Sequence, residues 1–458
     1  ARREHWSGCL AARVHAKRIA RQREPGSIAF PVTAWYAAPM KTYKVGGAVR
    51  DHILGRAVHD VDWVVVGATV EQMLALGYTQ VGADFPVFLH PESRQEYALA
   101  RTERKTAPGY RGFVVHASQD VTLEEDLFRR DLTINAMAMT EAGKLVDPFG
   151  GAKDLAKKVM RHVSPAFRED PVRILRVARF AARFGDFSVA DETMAVMREM
   201  VEEDEVDALV PERVWQEIAK GLMEPHPWRM LDVLRECGAL KRVLPEVEAM
   251  VGVPQVLLWH PEDCTYIHTK MVLAEAAKAG ASMEVRFACL VHDLGKAKTP
   301  RAVLPRHLGH EAASVALIEA LCARLRVPNE AGALATVVAR EHTNVHASTQ
   351  LNAKAVLRLL ERCDAIRRPE RFREVLKACA YDARGRLGMQ DRPYPQHERL
   401  RLALDAALRA DVSGVAKRLV AEGKTGQAVG AAVRACRAGA IEAVLAEENA
   451  MQASEAGV

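Results

Sequence analysis

The sequence predicts a mainly α-helical protein that carries a mixed α/β portion near its N-terminal end. Alanine is abundant while aromatic residues make up only 6% of the 458 residues, a composition that favours helices. Short runs of β-branched residues, which are typical of strands, are concentrated between residues 42 and 116. From Asp154 onward, apolar residues recur at helical spacing almost without a break. We therefore expect an α/β domain followed by helical domains, and the length allows three or four domains in total.

The overall composition is that of an ordinary globular protein with a small excess of positive charge. The net charge of +5 permits a polyanionic partner but does not require one. No apolar run approaches the roughly 18–20 residues of a membrane span, so no membrane association is expected. The eight cysteines are scattered and form no Cys-x-x-Cys pair, which predicts reduced thiols and a cytoplasmic protein.

The predicted domains follow from the strand and turn patterns. Strands are predicted at 42–45, 61–66, 87–89, 96–99 and 113–116, and a turn cluster at 147–151 predicts the end of the α/β head. Residues 1–39 are Arg-rich and lack the apolar core of about 7–15 residues that a targeting peptide needs. The predicted boundaries are 1–39 for an extension outside the core fold, 40–152 for the head, 153–255 for a helical neck and body, 256–390 for a second helical domain and 391–458 for a helical tail.

A phosphate-binding pattern opens the head at residues 45–51, Val-Gly-Gly-Ala-Val-Arg-Asp. Glycines allow backbone N–H groups to approach a ligand closely, and a helix N-terminus beside an arginine attracts phosphate. Gly47 and Arg50 are therefore predicted to bind a nucleotide. A Gly-Gly pair alone is a common turn, so this prediction depends on the motifs that follow it.

Two aspartates, Asp60 and Asp62, open the β-branched run at 61–66. Side chains at positions i and i+2 of a strand point to the same side, so both carboxylates are expected to face one point. Paired carboxylates can hold Mg²⁺ against the phosphates of a nucleotide. We predict that Asp60 and Asp62 are catalytic Mg²⁺ ligands, although an isolated Asp-x-Asp is more often a solvated strand end.

In this order and spacing, the two patterns resemble the nucleotidyltransferase fold that is shared with DNA polymerase beta. The resemblance implies a head built on a mixed sheet of the polymerase-beta type. In this superfamily a third carboxylate usually lies on a strand beside the aspartate pair. Glu96 fits that position, and it fits a solvated strand edge equally well.

A third pattern, Arg-Arg-Asp-Leu-Thr-Ile-Asn-Ala, occupies residues 129–136. It resembles a family motif that contacts the ribose and phosphates of the incoming nucleotide. Arg130 can bind phosphate, whereas Asp131 and Asn135, one helical turn apart, can hydrogen-bond sugar hydroxyls. These three residues are therefore predicted to bind the nucleotide.

A helix is predicted after Pro171, because residues 174, 177, 178 and 181 are apolar and fall on one face. Asp170 can cap this helix and can also share a face with Arg173, three positions later. The Glu-Asp-x-x-Arg pattern resembles the base-selecting motif of CCA-adding enzymes. Arginine presents planar donors and aspartate presents acceptors, so the pair can mimic the Watson–Crick edge of a base.

The same helix continues with Arg176 and Arg179, which match family positions that hold the nucleotide. A capped helix with a basic solvated face is the alternative interpretation. The family resemblance favours nucleotide binding for Asp170 and Arg173, and by extension for the two later arginines.

Seven of the sixteen histidines lie between residues 260 and 346. The order of histidines and aspartates in and after this stretch resembles the HD phosphohydrolase superfamily. The resemblance implies an all-helical HD domain in which a metal is bound by His268, His292, Asp293 and Asp382. His310 and His342 would then contact phosphate or complete a second metal site. Imidazole and carboxylate ligands suit Ni²⁺ or another transition metal.

The motifs keep the family order over residues 40–390, and the chain resembles bacterial CCA-adding enzymes with a fused HD domain. The resemblance implies transfer of CMP, CMP and AMP from CTP and ATP to the 3′ end of tRNA, with the acceptor arm bound by a monomer or homodimer. It also implies 2′,3′-cyclic phosphodiesterase, 2′-nucleotidase and phosphatase activity in the HD domain. The alternatives are a poly(A) polymerase, which the HD domain disfavours, and a tRNA-binding chaperone with an inactive head, which intact Asp60 and Asp62 disfavour.

Overall fold

The computed structural model describes residues 40–58, 60–81, 87–105 and 113–456. The predicted extension at 1–39 lies outside the described residues. Along the described chain, a mixed sheet near the N-terminal end is followed almost entirely by helices. The predicted fold class is therefore confirmed.

A mixed sheet forms the centre of the head. The strands are β1 (Lys41–Val45), β2 (Asp62–Val66), β3 (Thr79–Val81), β4 (Val87–Leu89), β5 (Glu96–Leu99), β6 (Thr102–Lys105), β7 (Phe113–His116), β8 (Ala138–Thr140) and β9 (Leu145–Val146). Among the described residues, seven of these strands pair in the order β3-β4-β5-β2-β1-β8-β9, and β6 pairs with β7 as a separate hairpin. The central strand β2 is antiparallel to β1 and parallel to β5.

The central strand β2 is covered on both sides. Val64 packs in one hydrophobic cluster with Val45 and Leu127, and the next residue, Val65, packs in another with Phe88. Successive strand residues point to opposite faces, so a continuous apolar run is what a doubly covered strand requires. This burial fixes the register of β2 and therefore the position of the aspartate at its start.

All five strands predicted from the sequence are present, with ends shifted by at most one residue. One difference affects the site: β2 begins at Asp62, so Asp60 precedes the strand and the alternation argument does not fix its direction. The strands that were not predicted in the head are only two to four residues long, too short to show a period.

Short helices flank the sheet of the head. The first of them begins at Gly47, directly after Gly46, whose φ of 67° is a backbone conformation that favours glycine. The β1 strand is therefore followed by a tight turn that places a helix N-terminus beside the sheet. The head helices are α1 (Gly47–Ile53), α2 (Val70–Ala75), α3 (Leu123–Phe128) and α4 (Gly151–Ala156).

The neck and body are built from α5 (Val172–Arg183), α6 (Asp191–Glu202), α7 (Pro211–Met223), α8 (Pro227–Glu236), α9 (Leu240–Val243) and α10 (Pro245–Glu248), with a small bridge between β10 (Val159–Met160) and β11 (Ser188–Val189). The predicted apolar face of α5 is fully buried and packs against α7 and α8. At the end of α5, Arg183 forms an ion pair of 2.8 Å with Asp51 of α1. The arginine-rich face of α5 is thereby held against the head.

The next group of helices is α11 (Thr265–Lys278), α12 (Met283–Val291), α13 (His310–Leu325), α14 (Asn329–His346), α15 (Ala353–Arg362) and α16 (Pro369–Arg384). The turn after α12 packs very closely on the start of α13. A Cβ atom on Gly295 would lie 2.1 Å from the carbonyl oxygen of His310 and 2.5 Å from the amide nitrogen of Ser314. Glycine at this position brings the residues that follow α12 next to His310.

The predicted helical tail contains α17 (Pro395–Arg409), α18 (Val412–Ala421) and α19 (Gly426–Ala456). The buried Arg399 joins it to the preceding domain, since the guanidinium donates to the carbonyl oxygen of Ser348 and forms an ion pair of 2.7 Å with Glu448. Across the part of the chain that is described, none of the helices has the length and apolar character needed to cross a membrane.

Two candidate active sites

A cavity of about 640 Å³ lies between the head sheet and helices α5 and α7. Its lining carries far more positive than negative charge, because nine arginines contribute to it. Such a surface suits a polyphosphate, with which arginine forms charge-assisted and often bidentate hydrogen bonds. The arginines are Arg50, Arg101, Arg129, Arg130, Arg173, Arg176, Arg179, Arg183 and Arg213.

Asp62 lies at the sheet end of this cavity. In the pairing register it is the neighbour of Val45 on one side and of Glu96 on the other. Neighbouring residues in register project to the same face, so Asp62 and Glu96 present two exposed carboxylates side by side. Asp60 is exposed and lies two residues before Asp62, but it is not among the residues that line the cavity.

Gly46 and Gly47 line the cavity where the chain turns into α1. A Cβ atom on Gly46 would lie 3.0 Å from Nη1 of Arg130, so the absence of a side chain allows this arginine to approach the turn. Arg50 is buried and held from two sides: its Nε donates to Asp51 at 2.9 Å and its Nη1 donates to Asn135 Oδ1 at 2.5 Å. The predicted nucleotide-binding residues of these two motifs are therefore brought to one place.

Asp131 connects the head to α5. Its carboxylate accepts hydrogen bonds from Asn135 Nδ2 at 3.0 Å and from Arg176 Nε at 2.7 Å. Burial alone would raise the pKa of Asp131, but the charge of Arg176 and the hydrogen bond from Asn135 outweigh it and hold that pKa below its usual range. The residue is thus an ionised, fixed acceptor in the wall of the cavity.

The face of α5 that was predicted to select the base also lines the cavity. Asp170 accepts the amide of Val172 at 3.1 Å, as expected for a helix cap. The same carboxylate is held by Arg213 of α7, with the shorter contact at 2.8 Å. Arg173 donates to the carbonyl oxygen of Ala166, and Arg179 forms an ion pair of 2.7 Å with Glu217.

The sequence analysis did not identify Arg183, Arg213 and Glu217 as members of this site. Arg183 follows Arg179 by four residues and Arg176 by seven, so extending the helical face along α5 would have found it. Arg213 and Glu217 lie on α7 at a spacing of four, but nothing in the sequence says that this helix packs against α5. They reach the cavity only through tertiary packing.

A second site lies among the helices of residues 265–384. His268 lies in α11, His292 follows α12 directly and Asp382 lies in α16. His268 Nε2 is 3.0 Å from Asp382 Oδ1, and His292 Nε2 is 3.8 Å from the same oxygen. One ligand atom from each of these three residues lies within 4.8 Å of the other two, which is close enough for a common metal ion.

Asp293, the fourth predicted ligand, groups with His310 and His342. Its Oδ1 atom is 3.4 Å from His310 Nε2 and 3.6 Å from His342 Nε2. The two groups are adjacent, because Asp293 Oδ2 lies 3.1 Å from His292 Nε2. The structure therefore brings all six predicted residues together but arranges them as two neighbouring groups of three.

The donor set fits a metal cation. His292 Nε2 and Asp293 Oδ1 are buried and make no hydrogen bond, which is unusual for polar atoms in a protein interior. Burial would lower the pKa of His292, but the charge of Asp293 outweighs it and raises that pKa to about 9. Burial lowers the pKa of His342 to about 3, which leaves the neutral imidazole that coordinates metals. Mixed nitrogen and oxygen ligands of this kind suit a transition metal.

Residues outside the predicted set surround these ligands. His346 Nε2 is 2.6 Å from Asp382 Oδ2, and its Nδ1 is 2.7 Å from the hydroxyl of Tyr394. Glu262 Oε1 is 3.0 Å from His268 Nδ1. The spacing of four between His342 and His346 could have identified His346, whereas Tyr394 and Glu262 carry no sequence signal.

Parts of the chain match three family models. Residues 42–161 match the poly A polymerase head domain, residues 186–251 match the probable RNA and SrmB-binding site of polymerase A, and residues 265–379 match the HD domain. The first range contains Asp62 and the glycine turn. The last contains His268, His292 and Asp293, while Asp382 lies three residues beyond it.

Comparisons of the whole chain agree with these matches. Two solved CCA-adding enzymes share the fold. The enzyme of Bacillus stearothermophilus in complex with CTP is 24% identical, with a TM-score of 0.58 over 91% of this chain and 95% of that chain. The enzyme of Thermotoga maritima complexed with tRNA is 21% identical, with a TM-score of 0.56 over 89% of this chain and 91% of that chain. The multifunctional CCA protein of Acidovorax sp. (strain JS42) is 63% identical over 88% of this chain and 96% of its own length. The chain therefore belongs to the family of multifunctional CCA proteins.

Proposed function

We propose that this protein adds and repairs the 3′-terminal CCA of tRNA, using CTP and ATP without a nucleic-acid template. The observation that carries the proposal is the arginine-lined cavity, which joins Asp62 of the sheet and Arg173 of α5 in one space. An enzyme that selects nucleotides without a template needs its catalytic carboxylates close to the residues that recognise the base. The names of the relatives, with CTP and tRNA bound to proteins of the same fold, support this assignment.

In this proposal the head holds the triphosphate and the tRNA 3′-hydroxyl for in-line transfer. Asp60 and Asp62 bind Mg²⁺, because a set of carboxylate oxygens suits this ion, and Glu96 stands beside Asp62 as a third carboxylate. Bound Mg²⁺ would supply positive charge where the hydroxyl attacks and pyrophosphate leaves. Gly47 and Arg130 bind phosphate oxygens, and the ionised Asp131 with Asn135 orients the ribose.

Base selection is assigned to α5. Asp170 and Arg173 present acceptors and planar donors to the Watson–Crick edge of CTP or ATP, while Arg176 and Arg179 position the nucleotide. Arg50 contributes by holding Asn135. The contact of Arg213 with Asp170 fixes the acceptor carboxylate, so that its direction does not depend on the incoming base.

For the second site we propose metal-dependent hydrolysis of phosphate esters, including 2′,3′-cyclic phosphates and 2′-nucleotides. His268, His292, Asp293 and Asp382 would hold Ni²⁺ or another transition metal, with His310 and His342 facing the phosphate or a second metal. The positive charge of such a metal polarises a phosphate oxygen. His346 contacts Asp382 and Glu262 contacts His268, and these contacts hold the two ligands in place.

The proposed domains are a head at 40–152, a neck and body at 153–255, an HD domain at 256–390 and a tail at 391–458. We propose a monomer or homodimer that binds the acceptor arm of tRNA through the helical body. A cytoplasmic location is proposed because four of the free cysteines are buried and would be maintained as thiols there, namely Cys237, Cys289, Cys363 and Cys379.

Incorporation of labelled CTP and ATP into tRNA that lacks its 3′ end tests the proposed function. The expected product is longer by the three nucleotides of CCA and does not grow further when both nucleotides are in excess. A long adenosine tract would instead identify a poly(A) polymerase. Binding of tRNA with no incorporation would identify a chaperone with an inactive head.

Replacing Arg173 by alanine is expected to weaken the preference for CTP and ATP over UTP and GTP more than it weakens tRNA binding. A hydrogen bond lost to a buried partner is worth roughly 1–3 kcal/mol, so discrimination should fall by roughly 5- to 150-fold. Arg173→Lys should behave similarly, because lysine keeps the charge but not the planar pair of donors. Steady-state kinetics with the four nucleotides measure this ratio.

Arg168 offers a matched control for this experiment. It lies five residues earlier and forms ion pairs with Glu199 and Glu203 away from the cavity, so Arg168→Ala should leave nucleotide preference unchanged. An Arg173→Ala protein that retains the full preference would show that α5 has only a structural role.

A further inference from the structure

The cavity at the second site has apolar side chains in its lining that phosphate hydrolysis alone does not require. Its volume is about 390 Å³, and its lining includes Asp293, His310, His342 and Asp382. The same lining includes Trp259 and Leu308, whose side chains are 59% and 87% exposed. A phosphate group gains nothing from such apolar side chains, whereas the apolar or aromatic part of a larger ligand does.

The backbone at Trp259 is part of a hydrogen-bonded turn. Its amide nitrogen donates to the carbonyl oxygen of Val256 at 2.9 Å, which closes a turn. The next residue, His260, is fixed because its Nδ1 lies 2.9 Å from Glu262 Oε1, the atom that also contacts His268. The indole is therefore presented by a turn that is anchored to the proposed metal ligands.

A buried amide at the same cavity wall has a donor with no partner. Gln255 is 2% exposed, and its Oε1 accepts a hydrogen bond of 2.6 Å from Lys296 Nζ. Because an ammonium group can only donate, this contact fixes the amide so that Nε2 faces away from Lys296. Nε2 is buried and makes no hydrogen bond. A buried donor without a partner is uncommon, and an acceptor on a ligand or an ordered water would satisfy it.

The lining of the cavity also carries positive charge. Arg306 and Arg386 line it, as does Lys296, which forms an ion pair of 2.7 Å with Asp293. The lining thus combines a proposed metal group, cations, an oriented amide donor and an exposed aromatic ring. The metal group and the cations suit a phosphate, and the aromatic ring with the amide donor suits a nucleobase.

We propose that this cavity contains a nucleobase subsite, in which Trp259 stacks on the base of a nucleoside phosphate while Leu308 borders the ring and Gln255 Nε2 donates to the same ligand. The inference rests on the proposed phosphohydrolase function and adds to it a residue that determines specificity. Stacking on an aromatic ring tolerates any base, so the subsite separates nucleotides from simple phosphate esters without reading sequence.

A docking surface for another protein is the competing explanation for the exposed apolar residues. Leu257 and Leu258 precede Trp259 and are 61% and 74% exposed, but neither lines the cavity. A protein partner that covers this turn would use all three residues. A stacked base would use Trp259 alone, so Leu258→Ala is a matched control on the same exposed turn.

The test compares two substrates of the holoenzyme: adenosine 2′-monophosphate, and glycerol 2-phosphate, which has the ester but no base. Trp259→Ala is expected to raise KM for the nucleotide about tenfold, which corresponds to ~1.4 kcal/mol, with little change in kcat. KM for glycerol 2-phosphate should not change, Trp259→Phe should restore most of the nucleotide affinity, and Leu258→Ala should match the unaltered protein.

Equal changes for both substrates, or no change for either, would overturn the nucleobase subsite. An equal loss in Trp259→Ala and Leu258→Ala would do the same and would indicate a general role of the turn. If the unaltered protein hydrolyses neither ester, the proposed phosphohydrolase function fails. The subsite is then tested by calorimetric titration of the unaltered protein and of Trp259→Ala with adenosine 2′-monophosphate. Binding to the head is the same in both proteins, so the subsite predicts one binding event that is present in the unaltered protein and absent from the variant.

Discussion

Replacing Asp62 by alanine is expected to abolish nucleotide addition while tRNA binding persists. Asp62 lies at the sheet end of the arginine-lined cavity, beside Glu96 in the register of β2 and β5. If a bound divalent cation contributes several kcal/mol to transfer, loss of this carboxylate should reduce the rate on the order of a thousandfold or more. Because Asp62 is exposed, the substitution should leave the fold intact.

Single-turnover incorporation of labelled CMP measures this effect, and a gel-shift assay measures tRNA binding. Asp120→Ala is a matched control, since Asp120 is an exposed aspartate of the head that does not line the cavity. The rates of Asp60→Ala and Glu96→Gln rank the contributions of the other two carboxylates to nucleotide addition. The Asp60→Ala rate is the more informative of the two, because Asp60 precedes the strand and its direction is not fixed by it. Measurable addition of CMP by the Asp60→Ala, Asp62→Ala double variant would contradict the two-metal assignment.

In the head, the sequence predicted what depends on local patterns. The run of valines in β2 and the glycine pair at the start of α1 are visible without tertiary information, and the structure has the strand and the turn where they were expected. The neighbourhood of Asp62 and Glu96 was expected only from the family resemblance and not from the local pattern, because pairing between β2 and β5 depends on the order of strands across the whole sheet. The same limit applies to Arg213, which reaches Asp170 only through the packing of α7 against α5.

In the second site, the order of histidines and aspartates predicted six residues that the structure brings together. Their division into two groups was not predicted, because it depends on how the turn at Gly295 packs against α13. Tyr394 was assigned to a tail of unknown role, yet its hydroxyl contacts His346 and so reaches Asp382. Contacts from outside a motif of this kind are set by tertiary structure and leave no mark in the local sequence.

The double variant His292→Ala, Asp293→Ala is expected to lose the metal of the second site and all hydrolysis of phosphate esters, while CCA addition continues at nearly the original rate. The two residues are buried, one belongs to each ligand group, and each supplies a buried atom that makes no hydrogen bond. Neither lines the cavity of the head. The ligands of the two sites also prefer different ions, since carboxylate oxygens favour Mg²⁺ and imidazole nitrogens favour a transition metal.

Both activities are measured on the same preparation, with Ni²⁺ and then Mg²⁺ supplied, together with metal content and thermal unfolding. The variant leaves Lys296 buried without Asp293, which can cost roughly 3–5 kcal/mol, so Asp293→Asn serves as a milder variant of the same shape. His397→Ala, on α17 and outside the cavity lining, is the control. Hydrolysis that survives in the double variant would show that the cluster is not catalytic. Loss of CCA addition in a folded protein would show that the two sites depend on each other, and the ion pair between Arg183 and Asp51 would then be the first contact between body and head to test.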